Sequence, residues 1–188
     1  VEALHETGII HGDLKPDNCM VRFEAGNLGP FNTDGSYGWC NKGIYLIDFG
    51  RSFDMSLLPP GSKFRANWKT DQQDCYEMRH GEPWSYEADY YGLAGIVHSM
   101  LFGEFIETSK SADGTLMLKK PLRRYWSQEI WSAVFDTLLN SRKHSNLPIT
   151  SKLMQERNRI ENYMKCNAND KLRDIIFDWE ADLLRLKK

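Results

Sequence analysis

Two short stretches of this chain, His11-Gly-Asp-Leu-Lys-Pro-Asp-Asn18 and Asp48-Phe-Gly50, decide its fold. Asp13 and Asn18 stand five residues apart (18 − 13), and Lys15 lies between them. A carboxylate can accept a proton, and an ammonium group can neutralise charge on a phosphoryl group. Carboxylate and amide oxygens are hard ligands that suit Mg²⁺. The two stretches therefore predict a site for phosphoryl transfer.

The order and spacing of these residues match the catalytic loop and the Asp-Phe-Gly segment of protein kinases. Either part alone would be a weak signal, because His-x-Asp and Asp-Phe-Gly both occur by chance in many proteins. We expect Asp13 to be the catalytic base and Lys15 to stabilise the transferring phosphoryl group of ATP. We expect Asn18 and Asp48 to bind Mg²⁺ and, with it, ATP.

A rival interpretation comes from Gly12, which stands where most protein kinases carry Arg. His-Gly-Asp is also typical of small-molecule phosphotransferases related to aminoglycoside and choline kinases, which lack a long activation segment. Here the segment 48–77 is long and ends at Glu77. Thr70 lies seven residues before that Glu (77 − 70), like the Thr of Ser/Thr protein kinases that contacts the catalytic Asp and Lys. Asp89 lies twelve residues after it (89 − 77), like the buried Asp that ties a long helix to the catalytic loop. These spacings favour a protein kinase with Thr70 in its catalytic group.

Gly12 has a further consequence, because an Arg at this position normally pairs with a phosphorylated residue of the activation segment. We therefore expect the segment to be ordered by its own packing rather than by phosphorylation of Ser62 or Thr70. Apolar and stiff residues are available for that packing: Phe53, Met55, Leu57, Leu58, Pro59 and Pro60.

The sequences of residues 48–58 and 84–103 resemble those of the Bub kinases of the mitotic spindle checkpoint, and in particular those of the fungal members. The resemblance implies a nuclear Ser/Thr kinase at kinetochores and centromeres that uses ATP and Mg²⁺ and phosphorylates a core histone tail. Its partners would be checkpoint and kinetochore proteins. The family also contains a pseudokinase branch, so a catalytically silent scaffold is an alternative. The presence of Asp13, Lys15, Asn18 and Asp48 argues against that alternative.

Composition limits the other function classes. The 188 residues are 41% hydrophobic and 27% charged, which suits one substantial core. A net charge of −2 predicts no basic field for direct nucleic-acid binding. The four cysteines show neither Cys-x-x-Cys pairs nor zinc-finger spacing, which is typical of reduced thiols. The most apolar run, Tyr90 to Phe102, is too short to span a membrane.

The expected fold is a protein-kinase-like α+β lobe that is mainly helical. Short strands are predicted near Met20–Phe23 and Ile44–Ile47, with a long loop over residues 24–43 between them. A buried helix is predicted from Tyr86 to Phe102, ended by Gly103, and further helices within 126–187. A Gly-rich phosphate loop, a strand Lys and a helix Glu are not found before His11. We therefore expect residues 1–188 to be the C-terminal lobe of a kinase domain without its N-terminal lobe, inactive as an isolated piece.

Overall fold

The computed structural model describes residues 1–23, 28–30, 32, 34–144, 146–167 and 169–186. The chain forms two compact units, one of Val1–Asn18 and Ile47–Glu156 and the other of Cys19–Leu46 and Arg157–Lys188. In chain order, the strands are β1 (Ile9–Ile10), β2 (Cys19–Phe23), β3 (Lys42–Leu46), β4 (Phe53–Asp54), β5 (Thr108–Lys110) and β6 (Leu116–Leu118). The helices are α1 (Glu2–Glu6), α2 (Tyr76–Arg79), α3 (Glu87–Phe102), α4 (Gln128–Leu139), α5 (Thr150–Asn167) and α6 (Asn169–Leu186).

Among the described residues, three antiparallel strand pairs accompany these helices: β1 with β4, β2 with β3, and β5 with β6. The β1–β4 pair matches Ile9 with Asp54 and Ile10 with Phe53, so it joins the chain before the catalytic loop to the chain after Asp-Phe-Gly. The described ranges are therefore mainly helical with short strands, which confirms the predicted α+β fold class.

Helix α3 lies at the centre of the first unit, and α4 packs against it. Its sequence is apolar nearly all round, and the helix is accordingly buried along most of its length. It ends at Gly103, whose φ of 71° is the left-handed conformation that glycine adopts easily at a helix end. Both the helix and its stop were predicted from the sequence. The large core side chains of this unit are Ile10, Leu14, Trp84, Tyr90, Ile96, Val134, Phe135 and Leu138.

The second unit is built on the β2–β3 hairpin, whose register runs from Cys19 opposite Leu46 to Phe23 opposite Lys42. Within this unit Lys42 forms an ion pair with Glu180 of α6. The two predicted strands are thus confirmed, with bounds that differ from the predicted ones by at most two residues. Parts of the predicted loop 24–43, namely residues 24–27, 31 and 33, lie outside the described residues. Its described part contains a 3₁₀ turn, Trp39–Asn41.

The C-terminal helices occur where they were expected, as α4, α5 and α6. The final predicted position, 187, lies outside the described residues. Within the described ranges, no helix combines the length and the apolar character that crossing a bilayer requires. All four cysteines have free thiols.

Candidate active site

Asp89 anchors the catalytic loop to helix α3. The side chain of Asp89 is fully buried. Its Oδ2 accepts a hydrogen bond from the backbone N–H of His11 at 2.8 Å, and its Oδ1 accepts one from the N–H of Gly12 at 2.8 Å. Asp89 lies in the first turn of α3, where the helix dipole favours a negative charge. These contacts confirm the predicted role of Asp89 in tying the helix to the loop.

His5 completes the environment of Asp89, which sequence reasoning did not foresee. His5 Nε2 lies 2.9 Å from Asp89 Oδ2, and His5 Nδ1 lies 3.1 Å from the hydroxyl of Tyr90. The same hydroxyl accepts a hydrogen bond from the backbone N–H of Ile149 at 2.8 Å. An Nε2–H tautomer of His5 satisfies this chain, because Tyr90 then donates to Nδ1. A single His in a short helix carries no sequence signal for such a contact.

Two glycines allow the catalytic loop to pack closely against its neighbours. A Cβ at Gly92 of α3 would lie 2.4 Å from the carbonyl oxygen of Leu14. A Cβ at Gly12 would lie 2.4 Å from the carbonyl oxygen of Arg51, and the φ of Gly12 is +77°. Both positions therefore require glycine for close backbone approach.

Asp13, Lys15 and Asn18 come together as the sequence predicted. Lys15 Nζ donates to Asp13 Oδ2 at 2.9 Å. Asn18 Nδ2 donates to the same oxygen at 3.0 Å and to the Asp13 carbonyl oxygen at 2.8 Å. Arg51 Nη1, which the sequence did not single out, lies 3.3 Å from Asp13 Oδ1. Both carboxylate oxygens of Asp13 are thus held by donors.

The same contacts stabilise the ionised form of the Asp13 carboxylate. Partial burial alone would raise the pKa of Asp13. The hydrogen bond and charge of Lys15, the hydrogen bond of Asn18 and the charge of Arg51 act in the opposite direction and prevail. The pKa of Asp13 is therefore below its ordinary value, and the side chain is available to accept a proton.

His11 links the catalytic loop to the Asp-Phe-Gly segment. The His11 ring is fully buried, its Nε2 donates to the carbonyl oxygen of Ile47 at 3.1 Å, and its Nδ1 accepts from the N–H of Asp13 at 3.3 Å. The Phe49 ring lies against it with 4.6 Å between centroids. His11 therefore positions the predicted base and the residue before Asp48 together.

Asp48 adopts a left-handed conformation with φ 63° and ψ 70°, which is uncommon for a residue other than glycine. Its Oδ1 accepts a hydrogen bond from the N–H of Gly50 at 3.3 Å, and its side chain is exposed. Strained backbone of this kind is concentrated at functional sites. The exposed Asp48 carboxylate is therefore a candidate ligand.

The donor chemistry at Asn18 and Asp48 suits Mg²⁺. Both described hydrogen bonds of the Asn18 side chain use Nδ2, which leaves Oδ1 as a hard oxygen ligand. Asp48 adds an exposed carboxylate. Nowhere in the described ranges do three His, Cys, Asp or Glu side chains gather as a preformed metal centre. An amide and a carboxylate fit a site in which nucleotide phosphates supply further Mg²⁺ ligands.

The activation segment is packed by aromatic residues, only partly those expected. The centroid of the Phe53 ring lies 4.3 Å from that of Phe64 and 5.7 Å from that of Trp84. The ring centroids of Trp68 and Trp84 are 6.4 Å apart. Phe64 and Trp84 also exchange backbone hydrogen bonds of 2.8 and 2.9 Å. By contrast, Leu57 is 81% exposed, so its predicted use in packing is wrong. Leu58, Pro59 and Pro60 are exposed as well.

Thr70 lies in the same segment and is half-buried, between Lys69 and Asp71. Both neighbours line a cleft of about 260 Å³ beside Asp13 and Lys15. Among the described hydrogen bonds, none joins Thr70 to Asp13 or Lys15. Its contact with them remains a prediction, and Arg51 holds the Asp13 oxygen that Lys15 leaves open.

Glu77 closes the activation segment through an ion pair that the sequence did not reveal. Glu77 is buried, and its Oε1 lies 3.1 Å from Arg142 Nε. Arg142 also contacts Glu87 Oε1 at 2.9 Å and Glu82 Oε2 at 2.7 Å. The arrangement fixes the end of the segment to the start of α3 and to the turn after α4.

Comparison with known proteins agrees with this geometry. The chain is 60% identical over 97% of its length to the "Spindle assembly checkpoint serine/threonine-protein kinase BUB1" of Saccharomyces cerevisiae, and it covers 18% of that protein. It is 47% identical over 87% of its length to the protein of the same description in Schizosaccharomyces pombe, covering 17%. Identity to the mouse "Mitotic checkpoint serine/threonine-protein kinase BUB1" is 32% over the whole chain, again covering 17%. The chain thus spans less than a fifth of these relatives.

The fold comparison gives the same result. The crystal structure of the BubR1 kinase domain matches with a TM-score of 0.70 and 34% identity, covering 93% of this chain and 51% of that domain. A scan of protein-family models found no match. High identity to both yeasts agrees with the fungal resemblance noted in the sequence. The chain belongs to the Bub family of spindle checkpoint protein kinases and corresponds to part of the kinase domain.

Proposed function

We propose that this chain supplies the catalytic loop and metal ligands of a Ser/Thr protein kinase that transfers the γ-phosphate of ATP to a protein hydroxyl. The observation that carries the proposal is the Asp13 carboxylate, ionised and held by Lys15 at 2.9 Å and Asn18 at 3.0 Å. A base with a fixed position beside an open cleft is what an incoming hydroxyl requires.

In the proposed reaction the substrate hydroxyl enters the cleft beside Asp13. Asp13 accepts the hydroxyl proton while the hydroxyl oxygen bonds to the γ-phosphorus, and the bond from that phosphorus to the bridging oxygen of ADP breaks. Lys15 neutralises charge on the transferring oxygens. Mg²⁺ bound at Asn18 and Asp48 would stabilise the negative charge of the nucleotide phosphates. Thr70, whose neighbours Lys69 and Asp71 line the cleft, would contact Asp13 and Lys15 once the substrate is bound.

A protein substrate is favoured over a small molecule by the activation segment. The segment ends at the Glu77–Arg142 ion pair, which anchors it to α3 and the turn after α4. Small-molecule phosphotransferases lack such a segment. The names of the relatives support a role in the spindle checkpoint, with checkpoint proteins as partners. Kinetochore proteins as further partners rest on the family resemblance. A core histone tail as substrate, and a nuclear location at kinetochores and centromeres, rest on the family resemblance alone.

The proposal is tested with the full-length protein and labelled ATP. Transfer of γ-³²P to Ser or Thr of a histone substrate is measured for the wild type, Asp13→Asn and Asp178→Asn. Asp178 is an exposed residue of α6 and serves as the matched control. We expect transfer to fall at least ~10²-fold for Asp13→Asn, the usual contribution of a positioned base, and to stay unchanged for the control.

Absence of transfer from a folded wild type supplied with its checkpoint partners would overturn the enzymatic proposal. It would favour the alternative, a kinase-fold scaffold that is catalytically silent. Equal activity of the wild type and Asp13→Asn would remove Asp13 as the base.

A further inference from the structure

The second oxygen of the Asp13 carboxylate is held by a residue outside the catalytic loop. Arg51 directly follows Asp48-Phe-Gly50, and its Nη1 lies 3.3 Å from Asp13 Oδ1. The Arg51 guanidinium also lies over the indole of Trp68, 4.9 Å from the ring centroid. Arg51, near the start of the activation segment, therefore contacts both the proposed base Asp13 and Trp68, which lies later in the same segment.

We propose that Arg51 is a positioning residue, which couples the Asp13 carboxylate to Trp68 and so holds the activation segment in register with the base without a phosphate group. This inference rests on the proposed kinase function. It assigns to position 51 the linking role that an arginine at position 12 serves in most protein kinases.

The backbone geometry explains why the arginine stands at position 51 rather than at position 12. Gly12 has no side chain, and a Cβ there would lie 2.4 Å from the carbonyl oxygen of Arg51. Since the backbone of residue 51 occupies the space that a side chain at position 12 would need, an arginine at position 12 is excluded. The cation is provided from position 51 instead.

The backbone of Arg51 is itself held by hydrogen bonds, so its side chain extends from a defined Cα position. Residues Phe49–Arg51 form a 3₁₀ turn that is closed by a hydrogen bond of 3.0 Å from Ser52 N to the Phe49 carbonyl oxygen. The Ser52 hydroxyl donates to the His11 carbonyl oxygen at 3.2 Å. The following strand, β4, pairs with β1.

Trp68 lies at the other end of the contact and is 38% exposed. Its ring packs edge-on against Trp84, which is 1% exposed and is bonded to Phe64 through both backbone groups. A planar guanidinium can stack on an indole while its N–H groups donate to a carboxylate, and an ammonium group cannot do both equally well. The chemistry of the site thus calls for arginine.

The test uses the full-length protein with the variants Arg51→Gln, Arg51→Lys, Trp68→Leu and the double variant Arg51→Gln/Trp68→Leu. Lys63→Gln is the matched control, because Lys63 is an exposed cation of the same segment without a described contact to Asp13. The kcat, the KM for ATP and the hydrogen exchange of residues 62–72 are measured for each protein.

We expect Arg51→Gln to lower kcat at least about tenfold, since a displaced base loses its alignment with the hydroxyl, while the KM for ATP is unchanged. Arg51→Lys should recover only part of this loss. Trp68→Leu should lower kcat in the same direction, and the double variant should be no worse than Arg51→Gln alone, because coupled residues are not additive. Exchange of residues 62–72 should rise in all three Arg51 and Trp68 single variants and not in Lys63→Gln.

Full or increased kcat in Arg51→Gln would overturn the inference, and so would additive losses in the double variant. An inactive wild type would count against the proposed function instead. In that case hydrogen exchange still decides, because unchanged protection of residues 62–72 in Arg51→Gln would show that Arg51 does not hold the segment.

Discussion

Gly12 shows how a single residue can decide the chemistry available to a loop. Its backbone has φ +77°, and the carbonyl oxygen of Arg51 occupies the place of a side chain. Any other residue would combine strained backbone with a steric clash. The glycine is therefore a requirement of close packing between the catalytic loop and the Asp-Phe-Gly segment.

We predict that Gly12→Ala destabilises the kinase domain more than Gly61→Ala does. Gly61 has nearly the same φ, +79°, but nothing lies within 4 Å of its Cβ position. Strain of the backbone should cost about 1–2 kcal/mol at either site, and overpacking should add roughly 1–3 kcal/mol at Gly12 alone. Urea unfolding followed by tryptophan fluorescence measures both. Equal losses would show that the catalytic loop does not approach Arg51 so closely.

We predict that Asp89→Ala lowers the free energy of unfolding by roughly 3–5 kcal/mol. The substitution leaves the N–H groups of His11 and Gly12 without their acceptor and removes the partner of His5, all in a fully buried place. Glu129→Gln is the control, since Glu129 is exposed in the first turn of α4 and should change stability by less than about 0.5 kcal/mol. A loss below 1 kcal/mol for Asp89→Ala would contradict the described anchor.

At the scale of elements, Arg142 joins three parts of the chain. Its guanidinium contacts Glu77 in α2, Glu82 in the following loop and Glu87 at the start of α3. It also donates to the carbonyl oxygen of Pro83. Two of the three carboxylates are buried, so the arginine compensates charges that would otherwise lie in the interior.

We predict that Arg142→Met destabilises the fold by roughly 2–4 kcal/mol. Removing one partner from a buried ion pair typically costs about 3–5 kcal/mol, and the value is lowered here because the Arg142 side chain is 35% exposed. Lys119→Met is the control, because its pair with Glu107 is exposed on both sides and should contribute less than about 1 kcal/mol. Similar losses for both variants in urea unfolding would argue against a network centred on Arg142.

The elements differ in how far the sequence alone could predict them. Helix α3 and its end at Gly103 follow from local signals, a long apolar run and a glycine, and both were predicted. Asp89 was also identified, because its spacing from Glu77 is a fixed property of the kinase fold. Arg51 and Arg142 were not identified from the sequence, because their partners lie far away along the chain and no periodic pattern marks these two arginines. Leu57 was expected to pack, yet composition cannot tell which apolar residues of a loop face the interior.

At the scale of the whole molecule, the residues predicted for the active site all belong to the first of the two compact units. That unit contains the catalytic loop, the Asp-Phe-Gly segment, the activation segment and helix α3. The fold class could be predicted from two short motifs and their spacing, and the roles of the site residues remain predictions. The contacts that are proposed to hold the activation segment without a phosphate group could be found only from the three-dimensional structure.

The thiols provide a test of packing across the molecule. Cys75, at the start of α2, is 2% exposed, and burial followed by the charge of Glu77 raises the pKa of its thiol well above the ordinary value. A raised pKa leaves less thiolate at pH 8, and the thiolate is the form that reacts with iodoacetamide. Burial also raises the pKa of the half-buried Cys19. Cys40 and Cys166 are exposed.

We predict that iodoacetamide at pH 8 labels Cys40 and Cys166 rapidly, Cys19 more slowly, and Cys75 only after unfolding. Peptide mapping by mass spectrometry at successive times gives the rate for each cysteine, and the same protein in 8 M urea is the control, in which all four should react at similar rates. Exposure and thiolate fraction act in the same direction at Cys75, so its protection should be the strongest of the four. If Cys75 reacted as fast as Cys40 in the native protein, the end of the activation segment would have to open readily, and the ion pair of Glu77 with Arg142 could not be what closes it.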